Sequence, residues 1–101
     1  MNAESEKIIA QLRALRPTLE QQMGIKRLRV FGSVARGEAG PESDVDLIAD
    51  FNKFPGFQFF TLDQKISTLL GGRKVDFTTE NGLHRALKSK ILSEARDVWQ
   101  N

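Results

Sequence analysis

Cysteine is missing from this chain of 101 residues, and histidine occurs once, as His84. The protein can therefore form neither a disulfide nor a thiolate metal site, and it lacks the side chains of a histidine-rich zinc or haem site. If it uses a metal, carboxylate oxygens must hold the ion, and these are ligands that suit Mg²⁺ or Mn²⁺.

Long apolar segments are also absent. Residues 1–11 are polar and charged, unlike a signal peptide, and no stretch approaches the length of a membrane span. We therefore expect a cytoplasmic protein with no membrane contact. The net charge of +2 is too small to indicate nucleic-acid binding, and no direct binding of nucleic acid is expected. Two small basic groups are interpreted as solvated surface, with contacts to ATP phosphates or to a partner as the alternative. They are Arg13 with Arg16, and Lys26, Arg27 with Arg29.

The length and the hydropathy pattern predict one small α/β domain over residues 1–101, with helices packed on a short mixed β-sheet. Pro17 falls inside the first helical pattern and should kink that helix or restart it. The expected helices cover residues 3–22, 58–70 and 83–91, with a short helical stretch after Gly32. The expected strands cover residues 26–31, 44–51 and 74–79, and residues 96–100 could add a short extended piece.

Asp44, Asp46 and Asp76 are the candidate catalytic and metal-binding residues. Side chains two positions apart in a strand project from the same face, so Asp44 and Asp46 should point to one side. Asp76 occupies an equivalent outward position on the third predicted strand, and the three carboxylates would converge if the two strands are neighbours. Carboxylates that close repel one another unless a cation lies between them, which predicts a site for two Mg²⁺ ions.

Gly32 and Ser33 are the candidate phosphate-binding residues, because they stand where a strand turns into a short helix. Backbone N–H groups are unpaired at such a turn, Gly32 permits close approach, and the Ser33 hydroxyl can bond a phosphate oxygen. Arg36, one turn further on, could add a charge-assisted contact.

Each of these features, the aspartates and the Gly-Ser turn, is common in loops and on surfaces when it occurs alone. Only their combination and order indicate a site.

The stretch from Gly32 to Gly37, followed by Asp44-Val45-Asp46, resembles the signature of the DNA polymerase β-like nucleotidyltransferase superfamily. That signature is Gly-Ser, ten residues and Asp-x-Asp, and residues 34–43 fill the gap with the same count. The whole chain is most similar to the minimal nucleotidyltransferase (MNT) group, single domains that often act as antitoxins of helical HEPN ribonuclease toxins.

The resemblance implies a polymerase β-like fold in which Asp44 and Asp46 bind the metal ions and Asp76 completes the catalytic triad. It implies that Gly32 and Ser33 hold the phosphates of ATP. It also implies transfer of AMP onto a hydroxyl, expected to be a tyrosine, of a cognate HEPN toxin. Two alternatives stay open: an antitoxin that neutralises its toxin by binding alone, and a nucleotidyltransferase that acts on RNA ends or on a small molecule such as an aminoglycoside.

Several other residues are interpreted as structural. His84 should have a surface or helix-capping role, with contact to nucleotide or partner as the alternative, and Trp99 should anchor the last segment by packing. Most of the aromatic cluster after the second strand should be core, and any exposed members would mark an interaction patch. That cluster comprises Phe51, Phe54, Phe57, Phe59 and Phe60.

Overall fold

The computed structural model describes residues 2–100 and shows an α/β fold. Its helices are α1 (Ala3–Ala14), α2 (Arg16–Met23), α3 (Gly32–Ala35), α4 (Phe59–Leu69) and α5 (Arg85–Glu94). Its strands are β1 (Ile25–Phe31), β2 (Val45–Phe51), β3 (Val75–Thr78) and β4 (Arg96–Trp99). Short 3-10 turns precede α4 (Gly56–Gln58) and α5 (Glu80–Gly82). Within the described residues, none of the helices has the length and apolar character of a bilayer-crossing segment.

The predicted break at Pro17 is present as a restart of the helix. The side chain of Asn2 accepts a hydrogen bond from the Ser5 N–H and caps α1, which ends at Ala14. Pro17 lies in the first turn of α2, where its missing N–H costs no intrahelical hydrogen bond. Gly24, at a φ of 69°, ends α2 in the left-handed conformation and turns the chain into β1.

The four strands form one mixed sheet in the order β3-β2-β1-β4. Strand β1 runs antiparallel to both β2 and β4, whereas β2 and β3 are parallel. The mixed sheet with packed helices confirms the predicted fold class. The extended piece expected near the end of the chain is β4, which pairs with β1.

One face of the sheet carries the core. The apolar side chains of β1 and β2 that alternate toward this face are fully buried: Leu28, Val30, Val45, Leu47 and Ala49. They pack in one cluster with apolar residues of the first, second and fourth helices, namely Ile8, Leu12, Leu19 and Ile66. The other face of β2 presents Asp46, Ile48 and Asp50. The second face therefore carries polar groups, Asp46 and Asp50, around a fully buried Ile48.

Two expectations about individual side chains are wrong. Arg29 is not solvated surface: it is only 7% exposed, and its guanidinium pairs with Glu80 at 2.6 Å and Asp50 at 3.7 Å. Its position on β1, on the face away from the core, places it among acidic groups that balance its charge. The aromatic cluster is the second case. Phe54, Phe57 and Phe60 are 58%, 91% and 76% exposed; they lie in the loop after β2, in the 3-10 turn and in the first turn of α4.

The other structural interpretations are confirmed. The ring of His84 caps α5, with Nδ1 accepting a hydrogen bond from the Ala86 N–H at 3.1 Å. Trp99 is 5% exposed and joins the core cluster. Phe51 and Phe59 are half-buried and pack edge to face at 6.1 Å between ring centroids.

Candidate active site

Asp46 and Asp76 lie side by side on adjacent strands. The register of the parallel pair β2–β3 places Asp46 directly opposite Asp76. In the antiparallel pair β1–β2 the same Asp46 lies opposite Phe31, the last residue before Gly32. The carboxylates of β2 and β3 and the turn that follows β1 therefore meet at one end of the strands.

Asp46 has a perturbed pKa because it is partly buried beside a second carboxylate. The pKa of Asp46 is raised from 3.8 to about 6, first by burial of the carboxylate and then by the charge of Asp76 and a hydrogen bond with it. The charge of Asp44 raises this pKa further, whereas the guanidinium of Arg36 lowers it. Burial and the neighbouring carboxylates thus make Asp46 easier to protonate than a free aspartate, and such clusters mark functional sites.

Asp44 stands slightly apart from this pair. It lies one residue before β2, and its Oδ2 is 3.6 Å from Nζ of the exposed Lys74. Within residues 2–100, no group of three or more His, Cys, Asp or Glu side chains forms a metal cage as it stands. To join Asp46 and Asp76 around an ion, the carboxylate of Asp44 would have to turn away from Lys74.

The donor chemistry nevertheless fits a hard divalent cation. The neighbouring groups are carboxylate oxygens, the ligands that Mg²⁺ prefers, and the described residues place no sulfur or imidazole ligand among them. A cation bound here would offset both causes that raise the pKa of Asp46, the burial of its carboxylate and the charge of the neighbouring Asp76.

Gly32 makes the turn beside Asp46 possible. Its φ is +68°, a conformation that L side chains rarely adopt, and a Cβ at this position would overlap Oδ2 of Asp46. The half-buried Ser33 follows in α3, where its carbonyl accepts a hydrogen bond from the Glu38 N–H at 2.9 Å. Gly32, one of the predicted phosphate-binding residues, therefore lies directly against Asp46, one of the predicted metal ligands.

The anion donors of this turn contact an acidic residue that sequence reasoning missed. Arg36 is exposed and pairs with Glu38 at 3.3 Å and with Oε1 of Glu94 at 3.2 Å. The same Oε1 accepts a hydrogen bond from the Gly32 N–H at 3.3 Å. No local motif marks Glu94, because its contacts join the last residue of α5 to a turn 62 positions earlier in the chain.

Arg73 is a second residue that the sequence did not reveal. Its Nη1 donates to the carbonyl oxygens of Gly40 at 3.1 Å and Ser43 at 3.2 Å, and its Nη2 pairs with Glu4 of α1. One guanidinium therefore ties the loop that leads to Asp44 to the segment that leads to β3.

A cleft of about 450 Å³ opens beside Asp76 between β3 and α4. Its lining is mostly polar and includes Asp63, Gln64, Ser67 and Lys74. Asp76 is exposed toward solvent, whereas Asp44 and Asp46 are half-buried. The site thus has open space next to one of its carboxylates.

Carboxylates gathered beside an anion-binding turn suit the chemistry of a nucleotidyltransferase, in which a cation and backbone donors handle a polyphosphate. Comparison with known proteins leads to the same class. The nucleotidyltransferase domain family matches residues 12–98, and the chain belongs to this family.

Relatives cover nearly the full length of the chain. The protein adenylyltransferase MntA of Thermococcus cleftensis is 36% identical over 90 residues, which are 88% of this chain and 90% of that protein. A solved structure assigned as a minimal nucleotidyltransferase is 38% identical, with a TM-score of 0.71 and coverage of 91% of this chain and 93% of that one. The MNT antitoxin in a complex with a tri-AMPylated HEPN toxin of Shewanella oneidensis has the same fold. It is 19% identical, with a TM-score of 0.57 and coverage of 96% and 70%.

Proposed function

We propose that this chain is a single-domain, Mg²⁺-dependent protein adenylyltransferase that transfers AMP from ATP to a tyrosine hydroxyl of a cognate HEPN toxin and so acts as its antitoxin. The observation that carries this proposal is the Asp46–Asp76 pair beside Gly32. The name of the Thermococcus relative and the AMPylated toxin in the Shewanella complex support the choice of AMP and of a protein acceptor. We place the reaction in the cytoplasm, which contains ATP.

In this proposal the carboxylates of Asp44, Asp46 and Asp76 would hold two Mg²⁺ ions, which would neutralise charge on the triphosphate and lower the pKa of the acceptor hydroxyl. Asp44 would give up its contact with Lys74 to help hold a metal ion. Arg36 lies close enough to the acidic cluster to lower the pKa of Asp46. The negative triphosphate can therefore contact both the cation site and the Arg36 guanidinium.

The turn at Gly32 and Ser33 binds phosphate oxygens through backbone N–H groups and the Ser33 hydroxyl, and Arg36 adds its guanidinium. The acceptor approaches from the cleft beside Asp76. Its hydroxyl oxygen forms a bond to the α-phosphorus. The bond between that phosphorus and the oxygen that bridges the α- and β-phosphates breaks, and pyrophosphate leaves. The hydroxyl proton passes to the carboxylate of Asp76, the exposed member of the set.

The test is transfer of label from α-³²P-ATP, with Mg²⁺, to a candidate HEPN toxin taken from the genes that neighbour that of this chain. We expect label on that protein with wild type and a loss of at least about 100-fold with Asp46→Asn, because the reaction depends on charge at this position. Asp50→Asn is the matched control. It makes the same change on the same face of β2, next to Arg29 and away from the paired carboxylates.

The outcomes separate this proposal from its alternatives. Toxin silencing by a tight complex without label, ATP or Mg²⁺ would refute transfer and identify an antitoxin that acts by binding. Label on RNA ends or on a small molecule, with none on the neighbouring protein, would refute the protein acceptor and retain nucleotidyl transfer.

A further inference from the structure

Glu94 occupies the donors that the proposed function assigns to the nucleotide. A single oxygen, Oε1, accepts hydrogen bonds from the Gly32 N–H at 3.3 Å and from Nη1 of Arg36 at 3.2 Å. A backbone N–H and a guanidinium converging on one anionic oxygen form the kind of contact that a phosphate oxygen makes in a nucleotide site.

We propose that Glu94 is an internal competitor of the nucleotide: its carboxylate stands in for a phosphate oxygen in the free protein and must leave before ATP binds. The inference rests on the proposed function and names a regulation of the same site. ATP binding is weakened because part of its interaction with Gly32 and Arg36 replaces a contact that the protein already makes.

The charge balance of the site points the same way. Asp46 lies directly opposite Asp76, and Asp44 precedes the same strand, so carboxylates already crowd this end of the sheet. Glu94 adds a further negative charge beside the place where the triphosphate would bind. Unless the carboxylate moves, it both blocks the donors and repels the ligand.

The position of Glu94 permits this movement. It is the last residue of α5, with a side chain 26% exposed, so its carboxylate can swing toward solvent. The backbone that follows is fixed, because β4 pairs with β1 through Val30 and Arg96 and through Arg29 and Asp97. The exchange therefore needs a side-chain rotation and no rearrangement of the sheet.

The experiment measures the Kd of ATP with Mg²⁺ by calorimetry, without any acceptor protein. Glu94→Gln keeps the shape but removes the charge, and we expect its Kd to be about threefold to tenfold lower than that of wild type, as for a partly exposed ion pair. Glu94→Asp keeps the charge on a shorter side chain that reaches the donors less well, so it should also bind ATP more tightly. Thermal unfolding of each variant shows that it is folded.

Glu38→Gln is the matched control, because Glu38 pairs with Arg36, whereas the Gly32 N–H donates to Glu94. We expect it to leave the Kd within about twofold of wild type, since it frees only a more exposed contact of Arg36. An equal gain in Glu38→Gln and Glu94→Gln would overturn the competitor role and indicate a general charge effect.

Unchanged or weaker binding of ATP by folded Glu94→Gln and Glu94→Asp, with normal binding by wild type, would refute this inference and leave the proposed function standing. If wild type and all variants bind no ATP even at millimolar concentration, the proposed function fails, and the inference fails with it.

Discussion

At the scale of single residues, Gly32 combines a positive φ with direct contact to Asp46. Its φ is +68°, and a Cβ would meet the Oδ2 atom of that carboxylate. Gly32→Ala should destabilise the fold by about 1–2 kcal/mol from the left-handed backbone alone. It should also push Asp46 aside and lower the transfer rate on the order of 100-fold, since misplacement of a reacting group by about 1 Å has effects of this size. Urea unfolding and the labelled-ATP assay measure the two effects separately.

Gly56 provides the control for this prediction. It has nearly the same φ, +69°, but open space where a Cβ would be. Gly56→Ala should cost similar stability and leave transfer unchanged. Equal activity of the two variants would contradict the role given to the contact between Gly32 and Asp46.

At the scale of elements, Arg73 joins segments that local sequence cannot join. Its guanidinium holds the carbonyls of Gly40 and Ser43 and pairs with Glu4, so it ties α1 and the approach to β2 to the approach to β3. Arg73→Ala leaves two carbonyl oxygens without this donor and should lower the free energy of unfolding by about 1–3 kcal/mol. Urea denaturation measures the loss.

The neighbouring Lys74 is the comparison, because it is exposed and pairs with Asp44 through a single contact of 3.6 Å. Lys74→Ala should change the free energy of unfolding by less than about 0.5 kcal/mol. If Arg73→Ala is as stable as Lys74→Ala, Arg73 does not hold these elements together.

At the scale of the whole molecule, the acidic cluster makes stability depend on pH. The pKa of Asp46 rises from 3.8 to about 6 on folding, so the folded state favours the protonated carboxyl. This contribution is fully present below about pH 3.8 and is lost as pH rises through about 6. In metal-free buffer, the free energy of unfolding of wild type should therefore fall between about pH 4 and 6 relative to Asp46→Asn. Urea unfolding at a series of pH values with EDTA checks this, and parallel curves for the two proteins would contradict it.

Much of this fold follows from sequence periodicity. Alternation in β2 predicts that Val45, Leu47 and Ala49 face the core and that Asp46 faces away, and the structure agrees. The helix restart at Pro17 follows from the chemistry of proline. These features depend on neighbouring residues, and local sequence contains the information that decides them.

The features that local sequence did not reveal depend on contacts between distant segments. The burial of Arg29 depends on Glu80, 51 positions away, and the contact of Gly32 with Glu94 spans 62 positions. Asp46 and Asp76 face each other only because β2 and β3 are adjacent in the sheet, and the spacing in the sequence did not decide that adjacency. The exposure of Phe57 depends on how its 3-10 turn is placed against the rest of the fold, which local sequence does not specify.

The position of β3 has a consequence for solubility. This strand of four residues is an outer strand of the described sheet, and an outer strand can pair with another chain and start aggregation. Asp76 is the one charged residue in its sequence, Val-Asp-Phe-Thr. The carboxylate proposed to receive the acceptor's proton therefore also discourages pairing of this exposed edge strand with another chain. A neutral residue at position 76 would remove the activity and also the protection against aggregation.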